Sequence, residues 1–155
     1  MNTTKLAFIT HEFPALLQQA NASTTAKWGK MNFQQMIEHV ASFFKVSSNG
    51  LQFPLVSPIE HLPKLKEFLM SEKEFRENTK APEQVLPAQP LPLKFEHVDL
   101  AIEELQKQIK HFVLYFQQNE GAVTMHPVFG ELTFEEWILL HYKHVLHHSK
   151  QFGLI

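Results

Sequence analysis

The sequence predicts an all-α fold: a four-helix bundle with one long Pro-rich crossover and a short extra helix. Three observations carry that prediction. Apolar residues recur at helical spacing through long segments. Capping-box patterns, Ser/Thr/Asn followed three residues on by Glu/Gln, stand where those segments begin. Gly is scarce, 5 in 155 residues, which disfavours a turn-rich β fold. A chain of 155 residues is expected to form a single domain spanning 1–155 and can bury a core without staples. Hydrophobic residues make up 44%, charged residues 19%, and fourteen Phe supply core material, so the composition is that of a folded chain.

Residues 4–20 read as a first helix, kinked or interrupted by Pro14, and residues 21–30 as a loop. The second helix is marked by Asn32 as N-cap with Gln35 three residues on. Phe33, Met36, Ile37, Val40, Phe43 and Phe44 then follow on one face, and Gly50 ends the segment. Ser57 and Glu60 form another capping pattern, with Pro58 at the first helical position, for a short helix to about Leu69 whose first turn Pro63 makes irregular. Residues 76–94, with Pro82, Pro87, Pro90 and Pro92, form a long extended connection. A crossover along one side of a bundle is its natural use; an interdomain linker is the competing reading, and neither flanking half has enough helices to bury its own core. The clearest helix covers about 96–118, where Val98, Ile102, Leu105, Ile109, Phe112, Val113 and Phe116 form one stripe and Glu103 and Lys107 an i,i+4 pair. After residues 121–132, Thr133 and Glu136 cap a last helix running to about Gln151.

Several function classes fall away on composition. The chain has no Cys, which excludes disulfides, thiolate ligands and a Cys nucleophile, so thiol chemistry would need a small thiol from outside. Net charge is −2 and Arg76 is the only Arg, so nucleic acid is not an expected partner. Residues 1–20 lack the basic start and apolar run of a signal peptide, and no apolar stretch approaches the ~18 residues of a membrane span. A soluble cytoplasmic protein is expected.

Histidine is the unusual residue. There are 10, four of them between His141 and His148. On the last helix, Phe134, Trp137, Ile138, Val145 and Phe152 mark an inward stripe that His141, His144 and His148 continue, within about 60° at ~100° per residue. Uncompensated polar groups there are costly, and a metal ion removes the cost by taking a lone pair from each ring. His144 and His148 lie one turn apart and can ligate one ion. His39, between Met36 and Phe43 on the buried face of the second helix, is the best third ligand. Three neutral His leave an open position, as in catalytic rather than closed structural sites. The competing reading, a metal-free bundle with neutral core histidines, stays open on residues alone. His141 could replace a ligand, hydrogen-bond a bound water, or simply pack. His147 points about 100° from His148 and is expected to be partly exposed. Gln151 either orients the His148 ring or is an exposed C-terminal residue. His126 either lines the pocket or has an ordinary loop role. Trp28 and Trp137 read as core or pocket wall. Glu38 points about 100° from His39 and is not expected to be a ligand.

The run WGKMNFQQMIEHV resembles the second-helix signature of the DinB-like metal-dependent enzymes, in which Met-x-x-His supplies a ligand. KHVLHHSKQF resembles the closing His-x-x-x-His-x-x-Gln helix of that superfamily, and residues 126–153 resemble a branch of short members without known function. The resemblance spans about residues 28–155. It implies a four-helix bundle with a His triad, here His39, His144 and His148, holding nickel, zinc or a similar divalent ion such as iron or manganese. It further implies transfer of low-molecular-weight thiols to electrophiles, or isomerisation of substrates with such thiols. The chain departs from many members at Ser149 and Lys150.

The expected function is therefore a metal-dependent enzyme acting on a small-molecule substrate, a thiol S-transferase with a thiol cosubstrate or a hydrolase. The rival is a non-catalytic metal- or ligand-binding bundle, its ion closed off by a fourth protein ligand such as His141. A homodimer is compatible with the Phe-rich faces.

Overall fold

A computed structural model of the chain describes residues 2–155. The N-terminal rod consists of α1 (Thr3–Ala7), a π-helical turn (Phe8–Glu12) and α2 (Phe13–Gln19). Pro14 explains the wide turn. It has no N–H for the ladder and its ring crowds the preceding turn, so the helix widens before it, with Phe13 N–H reaching back to the Phe8 carbonyl. The interruption expected at Pro14 is thus a π-turn that keeps Ile9, Phe13 and Leu17 on the buried face.

Helix α3 (Phe33–Ser47) starts at the expected capping box. Gln35 N–H donates to Asn32 Oδ1 at 2.8 Å, and Asn32 N–H donates to Gln35 Oε1 at 2.9 Å. At its other end the left-handed residue is Asn49 (φ 59°), not Gly50. Gly50 N–H returns to the Lys45 carbonyl at 2.8 Å and Asn49 N–H to Val46, the Schellman arrangement. The capping box expected at Ser57 does not form. A single 3-10 turn (Ile59–His61) leads instead into α4 (Leu62–Met70), because Pro63 suits the first helical turn as well as Pro58 does.

The crossover between α4 and α5 (Val98–Gln118) has no regular helix or strand and is fastened at both ends. At the start, Lys143 of α6 (Phe134–Gln151) donates to the carbonyls of Ser71 and Lys73, and Lys150 pairs with Glu74. At the finish, Glu38 accepts from the backbone N–H groups of Lys94 (2.8 Å) and Phe95 (3.1 Å), while Gln34 and Gln35 donate to the carbonyls of Phe95 and Leu91. On α5, Ile102, Leu105, Ile109, Phe112 and Phe116 are buried as expected, with Val98 and Val113 half-buried. Glu104, rather than Glu103, takes the ion pair, with Lys45 of α3 at 3.0 Å.

The purely helical expectation needs correction at residues 123–133, where β1 (Val123–His126) and β2 (Gly130–Thr133) form an antiparallel hairpin. Its register pairs Val123 with Thr133 and His126 with Gly130. Burial alternates with period two, Thr124, His126, Gly130 and Leu132 facing in. The turn is held by the His126 ring, whose Nδ1 accepts from the N–H groups of Val128 and Phe129 at 2.9 and 3.0 Å. Thr133 then closes the hairpin and caps α6 in the box expected with Glu136. The fold is mostly helical with this small sheet, and its core gathers the inward faces of the N-terminal rod, α3, α5 and α6. No helix among the described residues is long and apolar enough to cross a membrane.

Candidate metal centre

Helices α3 and α6 bring His39, His144 and His148 together. His144 Nε2 stands 2.9 Å from His39 Nε2 and 3.0 Å from His148 Nε2, and one ligand atom from each residue lies within 4.8 Å of the others. A ring nitrogen carries one in-plane proton or one lone pair, so His144 Nε2 cannot make a well-directed hydrogen bond to both neighbours. An ion at the centre can satisfy all three. A tetrahedral ion with imidazole bonds of about 2.0–2.1 Å would set its ligand nitrogens about 3.3 Å apart, close to the two spacings at His144 Nε2.

The protonation chemistry favours the same reading. Burial, with a smaller contribution from His147, lowers His39 from its ordinary 6.5 to about 4. Burial and then the neighbouring histidines hold His144 well below its ordinary range. His148 is likewise held well below it by burial and then His39, against an opposing hydrogen bond from Gln151. Neutral rings keep the lone pairs that ligation requires.

One ring has its tautomer fixed by a chain of hydrogen bonds that starts at the backbone. The Trp28 carbonyl can only accept, so the Gln151 amide turns its Nε2 toward it, at 2.9 Å. Gln151 Oε1 therefore faces His148 Nδ1, at 2.6 Å, and that nitrogen must carry the proton. His148 Nε2 is left with a bare lone pair pointing at the triad. Gly29 makes the arrangement sterically possible: it has φ +82°, and a Cβ there would stand 2.7 Å from Gln151 Nε2. Lys27 N–H also donates to the Gln151 carbonyl at 2.7 Å, so the loop is tied to α6 twice.

The remaining sequence candidates separate cleanly. His141 does not join the triad. Its ring stacks on Phe44 with centroids 3.8 Å apart and planes at 10°. Ser47 Oγ donates its proton to the Phe44 carbonyl, so it accepts from His141 Nε2 at 2.9 Å and blocks that nitrogen. His126 is buried in the hairpin turn rather than in an ordinary loop. Trp137 is core and donates to Thr124 Oγ1 at 2.7 Å; Thr124 in turn donates to the Ser47 carbonyl. Glu38 points away from the centre to the crossover. His147 is half-buried between Trp28 and Phe75, with its ring centroid 5.2 Å from that of His148. Sequence reasoning missed the parts of Trp28 and Gly29 in holding Gln151. A backbone carbonyl leaves no signature in side-chain spacing, and the glycine's only signal is that a WGK loop permits a positive φ.

What the arrangement can do follows from the donor set. Three neutral nitrogens close together could hold one divalent ion. No curated protein and no solved structure matches the chain. A family model does match, over residues 1–153, described as a protein of unknown function (DUF1569). That match takes in the whole triad, the hairpin and the crossover, and the chain belongs to this family.

Proposed function

We propose that the protein is a metal-dependent enzyme in which His39, His144 and His148 hold one divalent ion, nickel or zinc, and that its fold is a hairpin-bearing variant of the DinB-like four-helix bundle. The observation that carries this is the fixed tautomer of His148: a buried amide, oriented by a backbone carbonyl, leaves Nε2 bare toward two other neutral imidazoles. A bound ion would supply Lewis acidity, lowering the pKa of a coordinated water or activating a small thiol. The chain's own contribution is to position three ligands, keep them deprotonated and leave coordination positions beyond the triad. Thiol transfer to an electrophile and hydrolysis use the same centre, and a chain without Cys must take its thiol from a cosubstrate.

The non-catalytic rival required a fourth protein ligand, for which His141 was the candidate. Its stacking on Phe44 and its bond to Ser47 weigh against that reading. Elemental analysis of the untagged protein should find about one equivalent of metal, and almost none in a His144→Ala/His148→Ala double variant. Protein that carries no metal and takes up neither zinc nor nickel would overturn the proposal. With metal present, turnover of an electrophile only when thiol is added would select transferase, and turnover without thiol would select hydrolase.

A further inference from the structure

A surface pocket of about 490 Å³ opens where the loop before α3, the start of the crossover and the end of α6 meet, and none of the triad lines it. Its volume lies within the range of small-molecule sites. One of its walls, Trp28, helps to position the triad, and a second, His147, only neighbours it. His147 is next to His148 in sequence, and Trp28 supplies the carbonyl that orients Gln151. The apolar lining is aromatic: the Trp28 and Phe75 rings pack edge-on to His147, centroids 5.7 and 6.2 Å away. Such walls offer a flat molecule both ring faces and ring edges.

The charged lining sorts by partner. Lys150 is paired with Glu74, and Glu77 stands beside His147. Lys27 is the lining ammonium with no carboxylate partner among the described residues. The residue is exposed, and its anchor is through the backbone. Its N–H is tied to the Gln151 carbonyl, and its stem crosses Gly153, where a Cβ would stand 3.1 Å from Lys27 Cε. Gly153 has φ +63°, so a side chain at that position would be both strained and in the way.

We propose that this cavity binds a small aromatic carboxylate, its ring against Trp28, Phe75 and His147 and its carboxylate on Lys27. Binding itself needs no ion, because none of these contacts involves the triad.

Phenylacetate is a suitable test ligand, and the indole N–H signals of Trp28 and Trp137 are suitable reporters. Trp28 lines the cavity, whereas Trp137 is core and already hydrogen-bonded to Thr124. Titration of ¹⁵N-labelled full-length protein, metal-free and zinc-loaded, should move the Trp28 signal saturably and leave that of Trp137 in place. Phenylacetamide should bind roughly two- to five-fold more weakly, the effect of one exposed ion pair. Lys27→Ala should weaken phenylacetate by the same factor without changing phenylacetamide, and Lys27→Arg should restore it. No saturable shift, equal affinity for the amide, tighter binding of phenethylamine, or indifference to Lys27→Ala would each overturn the proposal. A protein that takes up zinc but ignores phenylacetate sinks this inference and leaves the metal reading standing; the converse result sinks only the metal reading.

Discussion

A carbonyl can only accept a hydrogen bond, and at Trp28 that constraint propagates through Gln151 to the triad-facing nitrogen of His148. Gln151→Ala should therefore weaken zinc binding by about 10- to 100-fold, the range for losing an orienting partner of a ligand. Competition against a chromophoric chelator reads this directly, and an unchanged circular dichroism spectrum would show that the fold survives. His126 gives a different residue-scale expectation. Burial lowers it from 6.5 to about 3, while the unfolded chain titrates it near the ordinary value. Between those limits the unfolded state binds more protons, so this ring's contribution to stability is complete above about pH 6.5 and declines as pH falls toward 3. His126→Asn keeps an acceptor for the turn and removes the titration. In urea unfolding of metal-free protein, the loss of stability from pH 7.5 to 5 should be smaller in the variant than in the wild type. The grouping of His144 and His148 was legible from their one-turn spacing and that of His39 from its place on the buried face of α3, whereas for Gln151 the spacing left an orienting role and an exposed end equally open. The block on His141 was not legible, since it depends on where the Ser47 hydroxyl sends its single proton.

Among the elements, those whose ends are written in side chains were the readable ones. Asn32 with Gln35, and Thr133 with Glu136, make the reciprocal bonds that their spacing suggests. Asn32→Ala should cost about 1 kcal/mol of unfolding free energy, measurable by urea denaturation of the metal-free protein. The Ser57 pattern failed because a second proline six residues from Ser57 competed for the helix start, and the chain took the later one. The hairpin was hidden for another reason. Its strands are four residues each, and Thr124, His126 and Leu132 give too short an alternation to stand out beside the helical stripes around it. The π-turn could be expected only as a disturbance at Pro14, because sequence does not say whether a helix kinks, breaks or widens.

At the scale of the whole molecule, an ion held by His39 on α3 and by His144 and His148 on α6 would brace two helices whose nearest ligands in sequence, His39 and His144, lie 105 residues apart. Metal that binds only the folded chain stabilises it by mass action, about 2.7 kcal/mol at a hundredfold excess over Kd. For a chain of 155 residues this corresponds to a rise in Tm of roughly 5–10 °C. Calorimetry with zinc and then with chelator should show that difference, and His39→Ala should abolish it. The overall helical character was legible from periodicity. The sites where the crossover is fastened were not, because Glu38 and Lys143 engage backbone groups dozens of residues away.

Those fastenings divide the crossover unequally. Residues 71–75 and 91–95 are stitched to α6 and α3, while residues 76–89 lie mostly exposed between them. Lengthening such a span costs little, about 0.6 kcal/mol for each doubling of a flexible loop. The middle of the crossover is thus the place where this fold can accept an inserted peptide or a protease site, leaving both ends of the strap and the histidines they flank undisturbed.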